Sequence, residues 1–231
     1  MDIKFSGVTK IFEPDIVALE DIYLDIDRGE FVYLVGETGS GKTTLMRCIF
    51  REVVPSRGHI SVGGRALRKI GRFELALFRR DIGVIFQDFS LLPNITAFEN
   101  VSFVLEVMGV PSKEIEERVA DVLKTVGIWR RRNLYPPQLS GGEQQRLAIA
   151  RAIVNEPSLI LADEPTGNLD SHTADEIMQL MLDINAAGTT VLMATHNQSL
   201  VNAYRHRVIE IRRGRIIRDD KEGGYEADVT C

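Results

Sequence analysis

The sequence predicts an α/β fold: a core on a mainly parallel sheet, with an antiparallel β subdomain at the N-terminus and an inserted α-helical lobe. Three observations predict it. Apolar runs without polar alternation, at residues 31–35, 82–86, 159–162 and 189–194, suit strands buried on both faces of a parallel sheet. Residues 2–27 behave differently: Ile22, Leu24 and Ile26 alternate with Tyr23, Asp25 and Asp27, the period of an antiparallel sheet covered on one side. From Asp88 to Leu139 the apolar spacing becomes helical.

In chain order, Ile3 and Phe5 open the first strand, and residues 9–14 form an irregular stretch whose aromatic, Phe12, is either a core residue or a stacking platform for a base. Arg28-Gly29 is a turn. Residues 31–44 then read as a buried strand, a glycine-rich turn and a helix start, with Gly36-Glu37-Thr38-Gly39-Ser40-Gly41-Lys42-Thr43-Thr44 in the spacing G-x-x-x-x-G-K-T. Backbone N–H groups left uncovered at Gly36, Gly39 and Gly41 can converge on a polyphosphate at the positive end of the next helix. Lys42 would reach the terminal phosphates and Thr43 would hold Mg²⁺. A dinucleotide fingerprint fails here, because its third small residue would fall at Thr44 and no acid stands at a clear strand end about 20 positions on.

The following helix is expected over 44–50, closed by the turn at 55–58. Ile60 and Val62 begin a short strand, and residues 68–80 form a surface helix of mixed charge. Gln87 ends the strand at 82–86. In the helical lobe, Ile115, Val119, Val122, Leu123 and Val126 recur at helical spacing, with Ser112 placed to cap the start and Gly127 to close the end. Phe89, Leu91 and Leu92 lead into the lobe as core or as an apolar groove; Arg130, Arg131 and Arg132 read as a solvated turn.

Ser140-Gly141-Gly142-Glu143 precedes a helix expected over 143–154, so one chain offers a second helix N-terminus with free N–H groups for an anion. The strand at 159–162 ends in Asp163-Glu164, and two adjacent carboxylates at the end of a buried strand are costly unless they have work to do. An amphipathic helix over 175–184, a strand over 189–194 with His196 just beyond it, and a hairpin over 207–218 turning at Arg213-Gly214 complete the chain, followed by a loose polar tail. His59, His172 and His206 receive no role.

Composition narrows the function classes. With 231 residues and 25.9 kDa the chain can bury a full core. Lys+Arg 28 against Asp+Glu 33 gives a net charge of −5, which supplies no electrostatic reason for nucleic acid as the main partner. Cys48 and Cys231 make neither a disulfide framework nor a ligand cluster, which fits a reducing compartment, with Cys48 a small buried hydrophobe. No leader and no apolar run of about 18 residues is seen, so any membrane role is expected through a partner.

The ordered set Gly36 to Thr43, Gln87, Leu139 to Glu143, residues 159–164, Asn168-Leu169-Asp170 and His196 resembles the ABC-type ATPase domain, a P-loop NTPase, over essentially the whole chain. The resemblance implies one domain over 1–231, with a catalytic core and β subdomain from 1–87 and 140–231 and a helical signature lobe from 88–139. It implies that two copies pack head to tail, the cradle of one and the Ser140-Gly141-Gly142 corner of the other enclosing ATP. Asp163 would hold Mg²⁺ through water, with Gln87 near the metal and water. Glu164 would be the general base, His196 would contact the γ-phosphate, Asp170 would act across the dimer, and Phe12 would stack on adenine.

The flanking text, Arg51-Glu52-Val53, Leu91-Leu92-Pro93, residues 162–170 and Ala194-Thr195-His196-Asn197, is similar to the branch of that family serving bacterial cell division. That implies an FtsX-like integral membrane partner, control of peptidoglycan hydrolysis, and a place on the cytoplasmic face of the inner membrane. Thr43 in place of the commoner serine and the pair Glu37-Thr38 are the departures. Rival readings keep the ATPase but change its client, a lipoprotein-releasing or macrolide-exporting system, or make it a slow nucleotide-gated binding module. A DNA-repair or chromosome ATPase fits poorly, because the link from Gln87 to Ser140 leaves no room for a long coiled coil.

Overall fold

The computed structural model of the chain describes residues 1–225, so Cys231 and the end of the polar tail lie outside the described residues. The first strand β1 (Ile3–Phe12) pairs antiparallel with β2 (Ile16–Ile26). After β3 (Phe31–Val35) and α1 (Lys42–Ile49), β4 (Arg57–Val62) pairs with the other edge of β1, and the two-residue β5 (Arg65–Ala66) closes a sheet of order β2-β1-β4-β5. The irregular stretch expected at 9–14 is therefore corrected. Three register slips after Phe5, beside Gly7 at φ 59°, carry β1 on to Phe12 while destroying its alternation.

The second sheet has the order β10-β9-β3-β8-β7-β6, formed by β6 (Ile82–Ile85), β7 (Leu159–Asp163), β8 (Thr190–Ala194), β9 (His206–Arg212) and β10 (Arg215–Gly223) around β3. Five of its strands run parallel, and β10 returns antiparallel along β9 through Arg213 (φ 47°) and Gly214 (φ 77°). The hairpin extends beyond the expected 218, so the start of the tail is strand rather than loose chain. β3 shows why its sequence is uniformly apolar. Phe31, Tyr33 and Val35 enter one core with the lobe helices, and Val32 and Leu34 enter another with the antiparallel sheet and α1. Burying each such side chain contributes roughly 1.5–3 kcal/mol. Cys48 lies wholly in the second core, and burial pushes its thiol up to about 12, the state of an inert small hydrophobe.

Between β6 and β7 come α3 (Ala97–Val107), α4 (Ser112–Thr125) and α5 (Gly141–Ile153). Pro111 holds the cap position of α4 and Ser112 is its first helical residue, so the expected serine cap is not made. Gly127 does close the helix. At φ 79° it lets its own N–H reach Lys124 O at 3.0 Å and the Ile128 N–H reach Leu123 O at 2.9 Å. The remaining helices are α2 (Arg72–Arg80), α6 (Ser171–Ala186) and α7 (Gln198–Ala203). Among the described residues no helix is long and apolar enough to cross a membrane.

Candidate active site

Parallel strands place their carboxyl ends on one edge of the sheet, where ligands of open α/β folds bind. Leu34 and Asp163 both lie opposite Ala194 in register, and Ile85 lies opposite Ala162. The loop after β3, the carboxylates ending β7, His196 after β8 and Gln87 after β6 therefore all emerge at that edge.

The loop from Gly36 to Gly41 is fixed by its neighbours. A Cβ at Gly36 would stand 2.2 Å from the carbonyl oxygen of Ile211, at a φ of 144°; one at Gly41 would stand 2.5 Å from Ala18 O, at 117°. Only glycine fits at either point. The turn of the C-terminal hairpin locks the loop from outside, since the Gly214 N–H donates to Ser40 O at 2.9 Å. Glu37, Thr38 and Gly39 form the exposed outer rim, and Thr44 begins to turn into the body of α1. Lys42 folds over the loop, donating to Gly36 O at 2.7 Å and Glu37 O at 3.0 Å. The Ser40 hydroxyl is buried in this cradle with no hydrogen-bond partner. A buried orphan hydroxyl beside a lysine and a helix N-terminus is the chemistry of a polyanion site. Gly36→Ala is expected to cost about 3 kcal/mol of stability through backbone clash and strain and to abolish nucleotide binding; thermal melting with and without ATP would measure both.

Thr43 Oγ1 donates to Asp163 Oδ2 at 2.9 Å, so the hydroxyl and carboxylate that fit a hard divalent cation already meet. Next to them Glu164 takes a left-handed backbone, φ 51°, pinned by its own N–H to Ala194 O at 2.9 Å and by the Gly167 N–H to its carbonyl at 3.1 Å. Its carboxylate is held twice by His196: Nδ1 lies 2.7 Å from Oε1, and the backbone N–H donates to Oε2 at 3.3 Å. Glu164 is 11% exposed and His196 65%, so the acid is sheltered and the ring faces outward. Gln87 is exposed at the same edge and makes no hydrogen bond to these groups.

Phe12 ends β1 at the tip of the first hairpin, 38% exposed, with Lys10 Nζ 4.7 Å from its ring centroid. The same hairpin presses Ala18 and Leu19 against Gly41, so the ring and the cradle belong to one rigid unit. The ring is exposed rather than part of the core.

Ser140 to Glu143 forms a separate site. The Glu143 N–H donates to Ser140 Oγ at 3.3 Å and the Ser140 N–H to Glu143 Oε2 at 2.9 Å, a reciprocal cap on α5. This corner packs on Leu169 and Thr173, on either side of Asp170, which caps α6 through Thr173; a Cβ at Gly141 would stand 3.8 Å from Leu169 Cδ2 and one at Gly142 2.6 Å from Thr173 Cγ2. Ser140, Gly141, Gly142 and Asp170 line one open cleft together, and no hydrogen bond or ion pair among the described residues joins this corner to residues 36–44. The chain thus brings the Ser140 corner beside Asp170 and not to its own cradle.

Sequence reasoning missed Arg131. Its exposed place in the turn is as expected, but its Nε lies 2.8 Å from Glu143 Oε1 and braces the capping acid. It also missed Ile211 and Gly214 as supports of the cradle. Neither had a sequence signal, because both contacts are tertiary.

The Ser140 N–H above all, and then Arg131, hold Glu143 below the usual carboxylate range; the Thr173 hydroxyl and N–H do the same for Asp170, and the Thr96 N–H for Glu99 at the cap of α3. Carboxyls depressed in the folded state give stability that is present above about pH 4.5 and lost as pH falls through the folded values. Denaturant unfolding from pH 6 to 3 is expected to show that loss, with a shallower slope in Glu143→Gln.

Residues 19–167 match the family model described as ABC transporter. The chain is 47% identical over 226 residues to the cell division ATP-binding protein FtsE of Streptococcus pneumoniae (strain D39), covering 98% of each chain. It is 48% identical over 223 residues to the FtsE protein of Bacillus subtilis, covering 96% of this chain and 98% of that one. Among solved structures, the dimeric post-hydrolysis state of an ATP-binding cassette bound to ADP and Pi superposes with a TM-score of 0.87 and 38% identity, covering 96% of this chain and 99% of that one.

Proposed function

The chain belongs to the ABC transporter family and is an ATPase, and from that premise we propose that it works as a head-to-tail dimer driving an FtsX-like integral membrane protein in bacterial cell division. The observation that carries the dimer is the separation within one chain: the cradle carries Lys42, Thr43, Asp163, Glu164 and His196, and Ser140 to Glu143 lies apart on Asp170. Each ATP would then lie between the cradle of one protomer and the Ser140 corner of its partner, with Asp170 bridging the two.

In this reading Phe12 stacks on the adenine. The N–H groups from Gly36 to Thr44, with Lys42, take the phosphates. Mg²⁺, held by Thr43, Asp163 and Gln87, would neutralise charge on the phosphate oxygens. Glu164 accepts a proton from the attacking water as its oxygen bonds the γ-phosphorus; the bond to the bridging oxygen breaks and ADP leaves. His196 fixes the Glu164 carboxylate for that transfer and contacts the γ-phosphate. The helical lobe, residues 88–139, and the segment after Gln87 would pass closure to the partner, with Phe89, Leu91 and Leu92 as the first contacts. Control of peptidoglycan hydrolysis on the far side of the inner membrane would follow.

The full-length FtsE relatives support the cell-division client. Isolation of the native membrane complex tests it. Co-purification of an FtsX-like protein is expected; an exporter permease in its place would reject the assignment.

A further inference from the structure

Residues 65–80 carry six basic side chains, Arg65, Arg68, Lys69, Arg72, Arg79 and Arg80, against the single acid Glu74, in a chain of net charge −5. The charge expected to be mixed on this segment is nearly of one sign. Arg79 donates to the carbonyls of Phe50 and Arg51, and Glu74 accepts from the Gly71 N–H. Arg65, Arg68, Lys69 and Arg72 are exposed, as is Arg57 nearby on β4, and among the described residues none of these five side chains has a hydrogen-bond or ion-pair partner.

The same segment turns large apolar side chains outward. Phe73 is 93% exposed and Leu77 56%, four residues apart on one face of α2, while Phe78 and the partly buried Leu75 fasten the helix to the core. The Gly71 N–H donates to Glu74 Oε2 at 3.0 Å and caps the start of the helix. An aromatic and an aliphatic side chain in a field of unpaired cations match the boundary between headgroups and acyl chains of an anionic bilayer. A folded acidic partner of complementary surface would have to match cations scattered over a strand, a turn and a helix. A fluid anionic surface meets them all without such a match.

We infer that the face made by α2 and the turn before it, with Phe73, Leu77, Arg68, Lys69 and Arg72, docks directly on anionic phospholipid. This contact is additional to the partner-mediated membrane association proposed above and independent of it. It would hold the protein against the bilayer by the segment that leads through β6 to Gln87.

Flotation of the purified full-length chain with protein-free vesicles tests the inference. Vesicles of phosphatidylcholine with about one-third phosphatidylglycerol are compared with phosphatidylcholine alone. The chain is expected to float with the anionic vesicles only, and to be released by raised salt. Arg68→Glu and Arg72→Glu each weaken binding by at least about fivefold, and Phe73→Ser by about tenfold. ATPase rate and melting temperature in solution stay unchanged in all three, which separates lost docking from lost fold. No flotation, equal flotation with both vesicles, or variants that float like the unsubstituted chain would overturn it. Because no protein partner is present, a face built for another protein gives the first of these results.

Discussion

Glu164→Gln is expected to slow ATP hydrolysis by about 10²–10⁴-fold while leaving ATP binding intact. The substitution keeps the size and shape of the side chain, so the left-handed backbone at φ 51° and the packing of a group only 11% exposed are undisturbed. What it removes is the basic oxygen. Oε2 of Glu164 accepts from the His196 backbone N–H at 3.3 Å and Oε1 lies 2.7 Å from the ring Nδ1, and a glutamine keeps one carbonyl acceptor while replacing the other oxygen with an amide that cannot take a proton from water. Closure on ATP would continue while its release by hydrolysis would stop, so gel filtration with ATP should show dimer accumulating. His196→Ala separates two roles. If the histidine only orients Glu164, the rate falls and ATP affinity holds; if it also contacts the γ-phosphate, both fall. Unsubstituted turnover in Glu164→Gln would remove Glu164 from the chemistry.

The cradle was legible because almost every residue in it is constrained by chemistry: Gly36 and Gly41 by backbone approach, Lys42 and Thr43 by the groups they present. The strands of the parallel sheet were legible because burial on both faces removes polar residues altogether. Helix α3 was not read as an element, although Thr96 and Glu99 form a capping pair at its start. Its pattern is mixed, with Ala97, Val101 and Leu105 buried as expected but polar residues among them. Asn100 and Ser102 are buried, Asn100 tying down Leu92, Ile95 and Thr96, whereas Phe103 and Val107 face outward. Polar residues inside and apolar ones outside cancel the periodic signal. The end of β1 was hidden by its register slips, and the bond from Arg131 to Glu143 by the absence of any local rule linking residues 12 apart.

The largest effect in the other direction is expected from mixing two inactive chains. Lys42→Ala removes the cation folded over the loop from Gly36 to Gly41, and Ser140→Arg places a bulky side chain where, in the proposed dimer, the second helix N-terminus would meet the partner's ATP. Alone, each variant forms dimers in which both composite sites carry the defect, and hydrolysis is expected to fall by at least about 10²-fold. In a mixed head-to-tail dimer the two lesions fall together in one site, and the other site pairs an intact cradle with an intact Ser140 corner. Random assortment makes half the dimers mixed with one good site in two, so equal mixing should recover about a quarter of the unsubstituted rate if the sites fire independently. A site complete within one chain predicts no recovery, because neither polypeptide then holds a working set. The outcome follows from where the fold puts Ser140, against Asp170 and without a bond to residues 36–44. Recovery at the level of either variant alone would therefore reject the shared enclosure even if both single substitutions were fully inactivating.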